Sequence, residues 1–152
     1  MTTGIFDVTA LLKPAIKTWW EANSATLSAL GTPIVAADDG SPASTETGEL
    51  PVVVIRFGDA DVNAITNKSR LHTATVTFQV YGNTRDAATA AAAPLDKLIA
   101  AMCHSQASLL SLAEGNIVGV ELPKFACRQI SKMRWRAERE VAFEIRIDRV
   151  PS

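Results

Sequence analysis

Near the start of the chain, apolar residues recur at three- and four-residue spacing: Val8, Leu11, Leu12, Ile16, Trp19, Trp20 and Leu27. That spacing gathers them on one side of a helix. Asp7 or Thr9 can cap it, and Pro14 falls in its early turns, where a missing N–H matters least. Gly31 and Pro33 predict its end near Leu30. Adjacent helical residues point about 100° apart, so the pattern sends one of Trp19 and Trp20 to the core and the other to an edge or interface. Residues 38–49, DDGSPASTETGE, hold almost nothing apolar and predict a polar loop. Residues 51–58, PVVVIRFG, form a continuous apolar run started by proline and stopped by glycine. That is the signature of a strand buried on both faces.

Residues 59–69 read as a second polar loop. Residues 71–82 alternate, with Ala74, Val76, Phe78 and Val80 on one face and Thr73, Thr75, Thr77, Gln79 and Tyr81 on the other, as in a strand with one packed face. Asn83 or Thr84 can then cap an alanine-rich helix whose apolar stripe is Ala91, Leu95, Leu98, Ile99 and Met102, with Asp86 in its first turn. Pro94 predicts a kink or the start of the helix's second half. After the turn SLLSLAEGN, residues 117–122 (IVGVEL) predict a strand with Gly119 as its weak point, ended by Pro123. Residues 130–150 read as strand nearly throughout. Met133, Trp135 and Ala137, then Val141, Phe143, Ile145 and Ile147, share one face, while Arg134, Arg136, Glu138, Glu144 and Arg146 share the other. A strand of about 15 residues would span roughly 50 Å and overhang a small domain, which favours pairing with another chain.

The predicted class is therefore α+β. Helices pack on a mainly antiparallel four-stranded sheet in the order helix, strand, strand, helix, strand, strand, with a long final strand. The 152 residues suit a single domain, and a chain of this size buries roughly 70% of its unfolded surface. Net charge is −1, which gives no global attraction to nucleic acid. The distribution is less even. Residues 1–66 carry three basic and eight acidic side chains, and residues 124–152 carry eight basic and four acidic. The two ends can neutralise each other within one molecule, or one copy can stack head-to-tail on the next. The opening residues MTTGIFDVTA show no secretory leader pattern, and no apolar run of about 18 residues is present. A reducing cytoplasm, with Cys103 and Cys127 as free thiols, is the expectation.

The search for chemistry is thin. Phosphate-loop, dinucleotide, zinc-protease, nucleophile-elbow and calcium-loop patterns are all missing from the sequence. His72 and His104 lack metal-ligand spacing, and Cys103 and His104, being adjacent on a helix, are poorly placed for base activation of a thiolate. The expectation is a protein with no enzymatic activity, no catalytic residue, no cofactor and no metal. Asp59 and Asp61 are read as solvated loop carboxylates. Arg134 and Arg136 share a strand face. With Trp135 and Arg139 they form the best interface candidates, set either against Glu138 and Glu144 of the same strand or against a neighbour's acidic residues such as Asp59 and Asp61.

The order of these segments also resembles a known family. VTFQVYG runs into the TRDAATAAAAPLDKLIAAM helix, then IVGVEL, then the terminal strand AEREVAFEIRIDRV. This layout is similar to that of the tail terminator (tail completion) proteins of long-tailed bacteriophages, over roughly residues 5–150. Pro94 and the long 38–49 loop depart from the pattern. The resemblance implies a structural virion protein of the tail or neck, assembled in the host cytoplasm as a ring of six copies. Such a ring caps the tail tube, ends its polymerisation and joins the tail to the head connector. Its partners would be further copies of itself, the tail tube protein and the head-closure or connector protein. DNA would be met only in passing through the channel, and no membrane would be involved. Two other readings stay open: another head–tail joining, neck or tail-tube component, and a small cytoplasmic binding module.

Overall fold

The structure is a computed structural model, which describes residues 9–30, 34–35, 52–58, 61–65, 69–105, 112, 116–121 and 124–148. Helix α1 spans Thr9–Ala22, with Pro14 inside it. Where it stops, the Asn23 side-chain amide donates to the Trp19 carbonyl at 2.8 Å, satisfying a group the last turn leaves open. The chain then continues through turns and a short 3-10 helix, Ser28–Leu30, that bring Leu27 and Leu30 into the core. The expected helix to Leu30 is thus an α-helix followed by a tighter apolar segment. The expected Asp7 cap and the 38–49 loop lie outside the described residues.

Among the described residues the sheet holds seven strands instead of four: β1 (Ile34–Val35), β2 (Val52–Phe57), β3 (Asp61–Ile65), β4 (Ser69–Gly82), β5 (Asn116–Val120), β6 (Lys124–Ser131) and β7 (Arg134–Asp148). Its main path runs β1-β2-β4-β7-β5, with β3 also on β4 and β6 also on β7. All pairings are antiparallel except the short parallel contact of β1 with β2. Three strands were not foreseen. β1 is two residues long. β3 lies in the segment read as a polar loop, and a bulge between Val62 and Ala64 breaks its register. β6 arises from residues 124–131, which show no sustained alternation of apolar and polar positions.

β7 keeps the 15-residue length its alternation predicts. It does not overhang the domain. β4 is 14 residues long and pairs with it from Ser69 opposite Asp148 to Gly82 opposite Trp135. Two long strands of equal reach therefore satisfy one another, and the free edge lies elsewhere. The predicted strand over residues 130–150 is broken by a turn at Lys132–Met133, where Ser131 pairs with Arg134. Two-residue hairpin turns usually use Gly or Asn; this one has neither.

Both helices cover one face of the sheet. α2 spans Arg85–Ser105, and its first turn is capped by Thr84, whose hydroxyl oxygen accepts from the Ala87 N–H at 3.0 Å. The stripe Leu95, Ile99 and Met102 is fully buried, joined by Ala88 and Ala92 and flanked by the partly buried Ala91 and Leu98. Beneath it lie Ala74, Val76, Phe78 and Val80 of β4, and Ala137, Val141, Phe143, Ile145 and Ile147 of β7. Trp19 and Trp20 are both buried, contrary to the expectation that only one would be. Phe78 packs near both, 5.8 Å from the Trp19 ring and 6.4 Å from the Trp20 ring, centroid to centroid. A helix lying across a sheet contacts it over a stripe at least 100° wide, which admits two neighbouring residues when both are long.

Gly82 fixes how closely α2 returns to the sheet. A Cβ at this position would stand 2.6 Å from the Ala88 backbone nitrogen and 2.9 Å from its Cα. Only a residue without a side chain lets the end of β4 meet the first turn of α2 at this separation.

Candidate functional site

The outer side of β7 is occupied by β5 and β6 in succession, β5 along Phe143–Arg146 and β6 along Arg134–Glu140. β6 pairs with nothing beyond β7 among the described residues, and its side chains are mostly exposed. Native sheets seldom leave an eight-residue edge open without some device that discourages pairing. Here the edge carries apolar groups. The large apolar side chains exposed among the described residues are Val118 (41%) in β5, Phe125 (58%) and Ile130 (46%) in β6, and Met133 (63%) in the turn. All four lie along the flank of the sheet formed by β5, β6 and the turn into β7. The register shift between Gln129 and Ser131 leaves Ile130 without a partner across the ladder, a bulge that turns it outward.

The hairpin is also basic. Residues 124–140 hold Lys124, Arg128, Lys132, Arg134, Arg136 and Arg139 against Glu138 and Glu140. On the face away from the helices, Arg128 stands opposite Arg136, and Glu138 lies between them. Arg136 grips Glu138 Oε1 at 2.7–2.8 Å, while Arg128 is 3.8 Å away. Burial works against the Arg136 charge, but the hydrogen bond with Tyr81 and the Glu138 carboxylate outweigh it and raise its pKa. Arg136 is thus a fixed cation, and Arg128, 68% exposed, is the freer one.

Arg139 has a different place from its expected companions. Its position on β7 puts it on the helix-covered face, where its Nε donates to Asp96 Oδ1 of α2 at 2.6 Å and its Nη2 to Oδ2 at 3.3 Å. Nη1 donates to the Glu138 carbonyl at 3.0 Å, and the guanidinium lies 4.4 Å from the Phe125 ring centroid. Its charge is spent inside the molecule, tying β7 to α2 and steadying the inner face of Phe125. Arg134 and Trp135 are half-buried at the start of β7, Trp135 packing against the core. Asp61 opens β3 at the other side of the sheet, and Asp59 lies outside the described residues. The structure therefore separates the five candidates it describes instead of gathering them. Arg134, Trp135 and Arg136 lie at the hairpin, Arg139 beneath it, and Asp61 across the sheet.

Phe125 and the exposed Lys124 and Arg128 were missed because residues 124–129 were not read as strand, and Ile130, placed in the final strand, was not singled out. The available signal was brief: Phe125 and Cys127 alternate on the helix side, with Lys124, Ala126 and Arg128 on the other.

For catalysis the surroundings are unpromising. Burial pushes the Cys103 thiol up, away from thiolate, and its sulfur points to the Glu121 carbonyl at 3.8 Å. Among the described residues no three His, Cys, Asp or Glu side chains come together to hold a metal ion, and no helix is long and apolar enough to cross a membrane.

No protein-family model and no curated protein matches the chain by sequence. Among solved structures it is similar to a chain from the virion of a native gene transfer agent particle. That match has a TM-score of 0.62 and 20% identity, and covers 95% of this chain and all of the other. At that identity the likeness establishes a shared fold.

Proposed function

We propose that this chain is a structural, non-enzymatic component of a phage-like virion, a tail terminator that forms a ring at the end of the tail tube. The ring ends tube polymerisation and offers its other side to the head connector. Six copies are the number expected from the family whose segment order the sequence resembles. The observation that carries this reading is the end-to-end match with a chain of a gene transfer agent virion. It covers both chains almost entirely, so it is not a common submotif shared by chance. The polar face of the sheet, the open β6 edge and the basic hairpin suit a molecule whose surfaces meet other polypeptides.

The same match also supports a second position in such a particle, a neck or tail-tube subunit, because a virion contains several structural proteins. Electron microscopy of particles made without the chain separates the two. A terminator's loss yields tails of variable, excessive length. A tube subunit's loss yields no tubes, and tails of normal uniform length refute the terminator role.

A further inference from the structure

The outer edge of β6 has a definite chemistry, set by the ladder it shares with β7. The Glu121 N–H donates to the Ala142 carbonyl at 2.9 Å, so the even-numbered residues of β7 turn their backbone groups toward β5 and β6. The uninterrupted register against β4 carries that parity along the strand to Arg136. Ala126, opposite Glu138, and Arg128, opposite Arg136, therefore use their N–H and C=O groups on β7. Phe125, Cys127 and Gln129 point theirs the other way, where no described strand receives them.

The side chains beside this open ladder differ by face. Toward the helices stand Phe125 and Cys127; on the far face stand Lys124, Ala126 and Arg128. Phe125 is 58% exposed, yet Arg139, itself held by Asp96, lies 4.4 Å from its ring centroid and steadies one side of it. Its apolar surface is thus in place before any partner arrives, which lowers the ordering cost of binding. Lys124, Arg128 and Lys132 are exposed. Of the hairpin's two carboxylates, Glu138 is held by Arg136, and Glu140 stands opposite Lys124 alone, so cations prevail along the edge.

We propose that the β6 edge takes up an extended segment of a different protein as an added strand, one in which apolar residues alternate with acidic ones. Its apolar side chains lie beside Phe125 and Cys127, and its carboxylates beside Lys124 and Arg128, which share one face with only Ala126 between them. Opposite charges across a ladder attract, and like charges repel. The same two cations turn away the β6 edge of a second copy, which sets Lys124 and Arg128 against their own kind. An edge that could otherwise template self-pairing is thereby reserved for a strand of opposite charge. The inference rests on the reading of this chain as one that works by meeting other polypeptides, and it needs neither the ring nor its copy number.

The probe is a fluorescent peptide of β6's own length, eight residues, in which valine alternates with glutamate. It is added to the full chain and followed by anisotropy. Saturable binding is expected, with slowed amide hydrogen exchange at Phe125, Cys127 and Gln129 when the site is full. A peptide with lysine in place of glutamate, and one with N-methyl groups along one backbone edge, should each bind at least about tenfold more weakly. Lys124→Glu/Arg128→Glu should weaken binding at least about tenfold, and Lys124→Gln/Arg128→Gln by about threefold or more. The glutamine pair covers the case in which reversed charge beside Glu138 unfolds the hairpin, and circular dichroism checks both variants. Equal binding by the glutamine variant, equal binding of the N-methylated peptide, or no binding up to about 1 mM overturns the proposal. So does a dimer in sedimentation velocity that protects the same three amides, because a second copy is then the occupant. Tail lengths in micrographs judge the terminator reading separately: a peptide that fails to bind sinks this strand site and leaves that role standing.

Discussion

Replacing Asp96 with alanine removes the carboxylate that holds a buried arginine. In the folded protein the Arg139 side chain is 6% exposed and Asp96 26%. Two contacts join them, at 2.6 and 3.3 Å. Truncating one member of a fully buried pair costs about 3–5 kcal/mol, mostly because the other charge is left without compensation. Here the loss is smaller. Arg139 retains the Glu138 carbonyl at 3.0 Å, a long contact to the Ala126 carbonyl at 3.5 Å and the Phe125 face, and water reaches the Asp96 site. We expect Asp96→Ala to cost about 2–3 kcal/mol. That is a fall of roughly 4–12 °C in Tm for a domain of this length. Arg139→Met keeps the packing of the stem and leaves Asp96 with access to water, so it should cost about 1 kcal/mol. The double variant should be less destabilised than the sum of the two, by roughly 1–2 kcal/mol. Urea denaturation of all four proteins, at a concentration where each is monomeric, gives the cycle. Equal costs for the two single variants, with simple additivity, would show that the pair is a surface ornament and that β7 is not held to α2 in this way.

Gly82→Ala should lose about 2–3 kcal/mol, the upper end for overpacking, because the new methyl meets the backbone of Ala88 and not a movable side chain. Gly58→Ala, whose Cβ would come only to 3.4 Å from the Thr75 side chain, should lose much less, and thermal melts by circular dichroism compare them. Phe78→Ala opens a cavity beside Trp19 and Trp20, with a cost of about 3–5 kcal/mol. Red-shifted tryptophan emission in the native state is the check. His72 is buried, and its pKa is lowered from 6.5, first by loss of water and then by the Arg70 charge. The unfolded chain therefore takes up this proton near pH 6.5, and the folded chain only at lower pH. The His72 contribution makes stability fall as pH drops below about 6.5 and levels off once the folded imidazole also titrates. His72→Gln should flatten that part of the stability–pH curve in urea titrations, and an unchanged slope would refute the assignment.

Much of the fold was legible because its long elements carry strictly local signals. The alternation of Ala74, Val76, Phe78 and Val80, and of Val141, Phe143, Ile145 and Ile147, states a strand and its buried face without any partner. The Leu95, Ile99 and Met102 spacing does the same for α2, and Thr84 marks where it begins. Charge asymmetry between the chain ends, and the poverty of catalytic patterns, were equally plain from residue order.

The edges of the sheet were not legible. Whether a strand is central or terminal depends on which other strands pair with it, and those contacts join residues far apart in sequence. Lys124–Ser131 became a strand because β7 offered it an open ladder, and the turn at Lys132–Met133 has none of the residues that announce a hairpin. Arg139 shows the same division. Its number gives its side of β7, but its burial follows from Asp96 being brought down by α2 from 43 positions earlier. The amino-acid sequence by itself determined which faces are apolar and where charge accumulates. Tertiary pairing decided which edge stays open, because a hydrogen-bond ladder is used up by whichever strand reaches it.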